Sequence, residues 1–327
     1  MNARLAVAAA ALALVGLVGA NAWSRLHQAA QTGLAPLGDR AGCERYGGLP
    51  EQWGKDPHAG MVRIEGGTFQ LGSERGYAEE RPLAQTSVKS FWIDRTEVTN
   101  AQFATFVAAT GYLSDAEHGS GVAVFHSPDA LAGVPREGSW WHLDQQANWR
   151  HPDGAESNID GRAHEPVVGV TYADATAYAH WLGRELPSEA QWEFAAKAGR
   201  GNRTADLSLR DEQGRPQANF WQGLFPLNDK AEDGYAGRAP VGCFASNPLG
   251  LHDMVGNVWE WTTDLYASRG DAVDQPSPHG SALRRVIKGG SFLCADNYCV
   301  RARASSRQGQ EADLAAVHLG FRTVSAQ

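Results

Sequence analysis

The helical segments of this chain are short, and each is predicted to end at a glycine. Thr99 caps a segment whose apolar residues share one face, and a later segment opens with a capping box made by Ser188 and Gln191. The predicted helices are Thr99 to Gly111, about Asp174 to Leu182 before Gly183, and Ser188 to Gly199. Helices this short exclude a long helical bundle and leave much of the fold to strands and loops.

The predicted strands are short as well. In "MVRIEGGTFQLGS", apolar and polar residues alternate on both sides of a Gly-Gly pair, which predicts a β-hairpin from residue 61 to residue 71. Further strands are predicted in "FWIDRTEV", "RVIKGGSF" and "HLGFRTV". With 37 glycines and 15 prolines, these patterns indicate an α+β fold with little regular secondary structure. We expect a single domain from residue 59 to residue 327, since no internal repeat interrupts it.

The charge balance excludes one class of partner. The formal net charge is −8 and the sequence pI is about 5.8. Binding to nucleic acid requires Lys and Arg to displace counterions from phosphates, and no basic block is present in the sequence. We therefore expect no nucleic-acid partner.

The N-terminus resembles an export signal. Arg4 precedes an apolar run from Leu5 to Ala20, and a small-x-small site follows at residues 20–22. The alternative is a membrane anchor, although the run is shorter than the ~20 residues that span a bilayer. Residues 1–22 are therefore predicted to be a signal peptide or anchor, and residues 23–58 an arm or linker. The protein is expected to be periplasmic or secreted, with membrane contact only if the segment is retained.

Two of the four cysteines lie close together in "KGGSFLCADNYCVRARASSR", as Cys294 and Cys299. The C-x4-C spacing does not match the C-x2-C pairs of structural zinc sites, and no second pair follows. In an oxidising compartment two nearby cysteines usually form a disulfide. Two thiolates also suit copper(I), a soft monovalent cation. The spacing alone leaves both readings open.

A set of collinear motifs from about residue 60 to the C-terminus resembles the formylglycine-generating enzymes, the sulfatase-modifying factors. They are "FWIDRTEVTNAQFATFVAATGY", "ANWRHPDG", "HEPVVGVTYADATAYAHWLGRELPSEAQWEFAAKAG", "NFWQGLFPLNDKAEDGYAGRAPVG", "GLHDMVGNVWEWTTDLY", "GGSFLCADNYCVRARASSR" and "HLGFR". The resemblance implies a loop-rich fold related to C-type lectins. Relatives on that fold also include non-catalytic paralogues and sulfoxide synthases.

The resemblance implies an oxidase that converts a cysteine in a sulfatase Cys-x-Pro-x-Arg motif to Cα-formylglycine. Cys294 and Cys299 would bind copper(I), dioxygen would be the oxidant, and a thiol would be the reductant. Ser291 matches a serine near the oxygen pocket. The resemblance places five residues along the peptide cleft of a monomer: Glu97, Trp140, Trp259, Arg307 and His318. The alternative is a non-catalytic binding protein in which Cys294 and Cys299 form a structural disulfide.

The same resemblance implies two structural calcium sites, since calcium prefers carboxylate and carbonyl oxygens. It maps the first onto the side chains of Asn219 and Asp233 with the carbonyls of Phe220 and Tyr235. It maps the second onto the side chains of Asp253 and Glu260 with the carbonyls of Gly256 and Val258.

The remaining cysteines, Cys43 and Cys243, lie in the arm and in the domain. The disulfide framework of the eukaryotic relatives is not reproduced, because Ala304 stands where those enzymes can carry a further cysteine. In an oxidising compartment Cys43 and Cys243 can pair, and the alternative is two free thiols.

Overall fold

The computed structural model describes residues 37–129, 135–198, 209–267 and 283–326. Its helices are α1 (Arg40–Arg45), α2 (Asn100–Thr110), α3 (Tyr172–Trp181) and α4 (Glu189–Ala196), with a 3-10 turn at Ala78–Glu80 and a π turn at Ala116–Ser120. No helix in these ranges has both the length and the apolar character needed to cross a membrane. The predicted export signal at residues 1–22 lies outside the described residues, as does Gly199.

Local capping explains where the helices begin. Thr99 and Gln102 form a reciprocal capping box at the start of α2, and Gly111 ends it with φ of 68°. The predicted box of Ser188 and Gln191 starts α4. Helix α3 begins earlier than predicted, because Asp174 is the third residue of a box capped by Thr171. The predicted start was therefore placed inside the first turn.

Fourteen short strands are present in the described ranges: β1 (Met61–Ile64), β2 (Gly67–Leu71), β3 (Ala84–Val88), β4 (Phe91–Asp94), β5 (Val122–Phe125), β6 (Trp141–Asp144), β7 (Gly223–Leu224), β8 (Asn228–Asp229), β9 (Trp259–Leu265), β10 (Arg284–Lys288), β11 (Arg307–Glu311), β12 (Ala315–Ala316), β13 (Leu319–Gly320) and β14 (Val324–Ser325). They form small sheets ordered β1-β4-β14, β11-β10-β9-β13, β12-β5-β6, β2-β3 and β7-β8. The predicted loop-rich α+β class is confirmed.

The hairpin predicted across the Gly-Gly pair is wrong. Strand β1 pairs with β4, and β2 pairs with β3, so the two strands that flank the glycines belong to different sheets. Gly66 packs so closely on the backbone of residues 88–90 that a Cβ would lie 2.5 Å from the Val88 carbonyl oxygen. The glycine thus permits a close crossing between two sheets rather than a hairpin turn.

The main core lies between α2, α3 and the sheet that carries β9. Its large buried rings include Phe103, Trp149, Tyr178 and Trp261. Cys294 belongs to the same cluster, so one end of this core supports the cysteine loop. A second cluster packs α4 against β1, β2 and β4.

Part of the predicted arm packs onto the domain. Cys43 in α1 forms a disulfide with Cys243, 200 residues along the chain. The backbone N–H of Gly38 donates to the Gly242 carbonyl at 2.8 Å, and the Thr99 hydroxyl donates to the Gly48 carbonyl at 2.5 Å. Residues 37–58 are therefore held against the domain.

Candidate functional site

The cysteine loop starts at a tight turn that only glycine permits. Gly289 and Gly290 both have positive φ, at 98° and 77°. A Cβ on Gly290 would lie 2.6 Å from the Cα of Ala302, so the two backbones pass in direct contact. After this turn, the Cys294 N–H donates to the Ser291 carbonyl at 2.9 Å, and the Ala295 N–H donates to the Cys299 carbonyl at 3.0 Å. These bonds fold the loop back on itself and bring its two cysteines together.

The Sγ atoms of Cys294 and Cys299 lie 3.4 Å apart, and both cysteines are reduced. A disulfide would require about 2.05 Å. Cys294 is buried with 2% exposure, while Cys299 is partly exposed. The predicted structural disulfide of the alternative reading is thus not formed. Two sulfurs of this kind, one buried and one accessible, fit a soft monovalent cation.

The two thiols differ in acidity. The pKa of Cys294 is well above its ordinary value, because its thiol donates a hydrogen bond to Cys299 and because it is buried. The pKa of Cys299 is lowered, first by that same hydrogen bond and then by the Arg301 backbone N–H and the charges of Arg301 and Arg303, which together outweigh burial. The pair therefore favours a thiolate at Cys299 beside a thiol at Cys294.

Both sulfurs lie in the wall of a cleft of about 530 Å³. Aromatic, charged and polar groups line it: Tyr77, Glu79, Glu137, Trp140, Trp141, Phe225, Trp259, Tyr266, Arg284, Ser291, Leu293, Cys294, Tyr298, Cys299, Arg301, Gln308, Gly309 and His318. They come from the 3-10 turn and the residue before it, from β6, β9, β10 and β11 or residues next to these strands, from the loops that carry Glu137, Phe225 and His318, and from the cysteine loop. The cleft is open to solvent on one side.

Ser291, Trp140, Trp259 and His318, four of the residues predicted for the site, all line this cleft. The Trp140 ring packs edge-on against Phe225 at 5.4 Å. The Trp259 N–H donates to the His318 carbonyl at 2.8 Å and so ties β9 to β13 beside the sulfurs. The Ser291 N–H points at the Cys294 sulfur at 3.4 Å, and its hydroxyl oxygen accepts from the Leu293 N–H at 3.2 Å.

His318 lies deep in the wall of the cleft. Burial lowers its pKa to about 3, so the imidazole is neutral. The Nδ1 atom is buried and has no hydrogen-bond partner within the described residues. Its ring packs against Trp141 with centroids 4.8 Å apart. A buried acceptor or donor without a partner costs free energy that a bound ligand or water would recover.

Two of the predicted cleft residues lie elsewhere. Arg307 is buried, and its guanidinium binds both carboxylate oxygens of Glu189 at 2.9 and 3.1 Å. Glu97 is fully buried and accepts from the Asn257 side-chain amide at 3.1 Å. Neither is part of the cleft lining. Arg307 is turned toward Glu189, which neutralises its charge, and Glu97 is turned toward Asn257, which donates a hydrogen bond to it.

Sequence reasoning missed several lining residues. Tyr298 stacks on Phe225 at 4.5 Å, and Arg301 lies 3.8 Å from the Tyr77 ring and pairs with Glu79. Tyr298 and Arg301 fall inside the quoted cysteine motif, so their closeness to Cys299 was an available signal. Glu79 and Tyr77 come from a distant loop, and no sequence pattern marked them.

The first predicted calcium site has donors that converge. The Gln222 side-chain amide donates to the Phe220 carbonyl and also to Asp233 Oδ2, the latter at 2.6 Å. Asn219 Oδ1 is buried and has no partner in the described part of the chain. The Tyr235 N–H donates to Asp233 Oδ1 at 2.9 Å, which brings residue 235 to the same loop. These oxygens fit a hard cation.

The second predicted calcium site fits only in part. Both carboxylate oxygens of Glu260 bind Arg322, at 2.7 and 2.8 Å, and one also accepts from the Trp192 indole at 2.7 Å. Because the Arg322 guanidinium neutralises this carboxylate and binds both of its oxygens, the predicted role of Glu260 as a calcium ligand does not fit. Asp253 instead hydrogen-bonds Glu97, whose Oε2 atom is buried and unpaired within the described ranges.

Burial shifts the pKa values of the carboxyl groups in this second set. Burial raises the pKa of Asp253 to about 6 and holds that of Glu97 well above its ordinary value. Gly256 and Val258 lie in the same buried turn, where the Asn257 N–H donates to the Asn219 carbonyl at 2.8 Å. Nowhere in the described ranges do three His, Cys, Asp or Glu side chains meet as a metal site. Backbone carbonyls would therefore have to complete either set.

Comparison with known proteins shows the family of this chain. Residues 47–327 match the family model described as a sulfatase-modifying factor enzyme 1-like domain. The chain is 42% identical over 294 residues to a formylglycine-generating enzyme from Mycobacterium tuberculosis, covering 81% of this chain and 97% of that protein. It is also 39% identical to the inactive Cα-formylglycine-generating enzyme 2 of Bos taurus, over 81% and 87% of the two chains.

Among solved structures, PvdO from Pseudomonas aeruginosa superposes with a TM-score of 0.56 at 24% identity, over 81% of this chain and 93% of that one. This likeness concerns the fold alone. The family match covers the cysteine loop, the cleft and both oxygen-rich loops. The chain therefore belongs to the sulfatase-modifying factor family, the family of the formylglycine-generating enzymes.

Proposed function

We propose that this protein is a copper-dependent oxidase that converts a cysteine of a Cys-x-Pro-x-Arg peptide to Cα-formylglycine. The observation that supports this most is the reduced cysteine pair, with sulfurs 3.4 Å apart in the wall of an open cleft. A structural disulfide would leave no soft donors there. Overall, peptidyl cysteine and dioxygen, with two electrons and two protons from a thiol reductant, give the aldehyde, hydrogen sulfide and water.

Cys294 and Cys299 would hold copper(I), which when bound supplies the one-electron chemistry that no side chain can. The chain's own groups prepare this site. The hydrogen bond from Cys294 and the charges of Arg301 and Arg303 lower the pKa of Cys299 and so favour its ionisation to the thiolate that a metal requires. Ser291 and the neutral His318 supply polar groups beside the sulfurs.

The cleft would bind the substrate as an extended segment. Trp140, Phe225 and Tyr298 form an aromatic wall beside the cysteines. Such a wall suits the apolar ring of the substrate proline. Glu137 lies in the lining with its carboxylate near the Tyr298 hydroxyl, and it provides a negative charge for the substrate arginine.

The two oxygen-rich loops would bind calcium as a structural ion. The first set fits through Asn219, Asp233 and the Phe220 and Tyr235 carbonyls, and the second fits through Asp253, Glu97 and the carbonyls of the 256–258 turn. Excess chelator should then lower the melting temperature, since calcium at 100 times its Kd stabilises by about 2.7 kcal/mol. Identical melting curves in chelator and in calcium, after calcium removal is verified by elemental analysis, would exclude both sites.

The activity test uses purified protein, copper(I), a thiol reductant and a Cys-x-Pro-x-Arg peptide in air. We expect the loss of mass that accompanies conversion of cysteine to formylglycine, together with an aldehyde that reacts with a hydrazine. A peptide with Ser in place of Cys, and an assay under nitrogen, serve as controls. Absence of product with metal-loaded protein, and tight peptide binding all the same, would favour the non-catalytic alternative.

We also propose that the protein acts outside the cytoplasm, in the periplasm or after secretion, as a monomer. The apolar run at residues 5–20 and the disulfide between Cys43 and Cys243 support this location. Cell fractionation with mass determination of the mature N-terminus tests it. Intact protein with Met1 in the cytosolic fraction would contradict it, and intact protein in the membrane fraction would identify an anchor.

A further inference from the structure

Two histidines lie on one face of the hairpin formed by β5 and β6, apart from the cysteines. His142 in β6 is directly opposite Val124 in β5. His126 follows β5 two residues after Val124, so its side chain extends from the same face. The His126 N–H donates to the Trp140 carbonyl at 2.8 Å and extends the ladder by one residue. The two histidines are therefore diagonal neighbours on a paired backbone.

The side chains meet as this register requires. The two imidazole rings have centroids 5.1 Å apart and an interplanar angle of 81°. Both residues are exposed. Within the described residues, neither ring has a hydrogen bond or an ion pair with another protein group. The ring nitrogens are thus available to a ligand, and the backbone that carries them is fixed.

A surface depression of about 550 Å³ lies over this pair. It is lined by His126, His142, Leu143, Asp144, Gln145 and Gln146. The Asp144 carboxylate accepts the Gln146 N–H at 2.8 Å, so one of its oxygens is already used locally. The depression therefore offers two imidazoles, the second Asp144 oxygen and two glutamine side chains, with space for water, and no Lys or Arg is among the described residues that line it.

We propose that His126 and His142 form a surface site for one divalent first-row transition cation, with water completing its coordination. Imidazole nitrogen is the preferred donor for copper(II), nickel(II) and zinc(II), whereas calcium and magnesium prefer oxygen. Copper(II) binds such donors most tightly of the three. The site does not depend on the proposed oxidase activity, because it uses neither cysteine.

Copper(II) is the probe for the test, added at one equivalent to untagged, metal-free full-length protein carrying Cys294→Ser/Cys299→Ser, because the reduced thiols would convert copper(II) to copper(I). Copper(II) on imidazole gives an electron paramagnetic resonance spectrum with nitrogen coupling. We expect nitrogen coordination when both histidines are present and an affinity at least about 10-fold weaker in either His126→Gln or His142→Gln, because each substitution removes one of the two imidazole donors. Nickel(II) titration by calorimetry measures the affinity independently.

His180→Gln is the matched control, because His180 is exposed on α3 and no other histidine ring of the described residues packs against it. All three substitutions are at exposed positions, and unchanged melting temperatures will show that the fold is kept. The proposal is overturned if the double variant His126→Gln/His142→Gln binds nickel(II) and copper(II) as tightly as the protein with both histidines. It is equally overturned if His180→Gln weakens binding as much as either hairpin variant.

Discussion

The two cysteine pairs of this protein have opposite chemistry. Cys43 and Cys243 are joined by a disulfide, although they lie 200 residues apart in sequence. Cys294 and Cys299 are only five residues apart and in contact, yet they remain reduced. Closeness in sequence is therefore a poor guide to which cysteines bond.

The surroundings of each pair explain why one pair links two segments of the chain while the other faces a cleft. The disulfide connects α1 to the loop that follows Tyr235, whose hydroxyl donates to the Cys243 sulfur at 3.1 Å. The reduced pair lies at the edge of the main core, with one sulfur buried and backbone N–H groups of Ser291 and Arg301 directed at it. The first pair holds distant segments together, and the second presents two sulfurs to a cleft.

The largest effect we expect is on stability, at the disulfide. The double variant Cys43→Ser/Cys243→Ser frees a 200-residue loop in the unfolded state, which costs about 5 kcal/mol in the chain-entropy model. Chemical denaturation at 25 °C measures the loss. Activity per folded molecule should stay unchanged, and a loss of activity in the still-folded fraction would show that the two pairs are functionally linked.

Substitution in the reduced pair should instead lower activity and leave stability almost unchanged. Cys299→Ser removes a soft donor and should lower aldehyde formation by about 100-fold or more, equivalent to about 2.7 kcal/mol, while the unfolding free energy changes little. The peptide assay and a denaturation curve are measured on the same preparation. Wild-type turnover by this variant would refute the copper mechanism, whereas a large stability loss with normal turnover would indicate a structural bridge.

The burial of His318 in the wall of the cleft predicts that the free energy of unfolding depends on pH. The folded-state pKa of His318 is depressed by burial to about 3, below the unfolded value near 6.5, so the folded state binds fewer protons between these values. The contribution of neutral His318 to the free energy of unfolding is therefore fully present above about pH 6.5, and it is lost as the pH falls below that value. We expect a loss of about 2 kcal/mol between pH 7 and pH 5.

The variant His318→Asn isolates this effect in denaturation curves at the two pH values. His252 also has a pKa lowered by burial, to about 4, so the wild type has a second contribution in the same window. The difference between wild type and variant cancels it. An identical pH dependence in both proteins would mean that His318 is not buried in its neutral form.

The smallest effect we expect comes from a single hydroxyl beside each pair. Tyr235→Phe removes the hydrogen bond to the Cys243 sulfur and should cost about 1 kcal/mol of unfolding free energy. Tyr298→Phe makes the same change near the reduced pair, where the hydroxyl is 3.5 Å from Glu137 and the residue is 43% exposed. That variant should cost less than about 0.5 kcal/mol. Equal costs would show that the sulfur contact contributes nothing.

Much of the local structure was predictable. Thr99 and Ser188 cap their helices as their sequence neighbours indicated, because a capping box involves residues only three positions apart. Glycine at 111 and 290 is required by a positive φ that other residues adopt at a cost. The strand pairing around Gly66 was not predictable, because alternation specifies a strand and not its partner.

By itself the sequence determined the family, the loop-rich α+β class, the helix caps and the position of the cysteine loop, since these depend on neighbouring residues and motif order. Only the tertiary structure decided which charges pair. Arg307 forms an ion pair with Glu189, and Arg322 forms one with Glu260. Glu97 lies beside Asp253 and not in the cleft. Buried ions must find partners, and these two ion pairs join residues 118 and 62 positions apart in sequence. No local pattern encodes contacts over such distances, so the fold alone establishes which side chains are left to face a substrate.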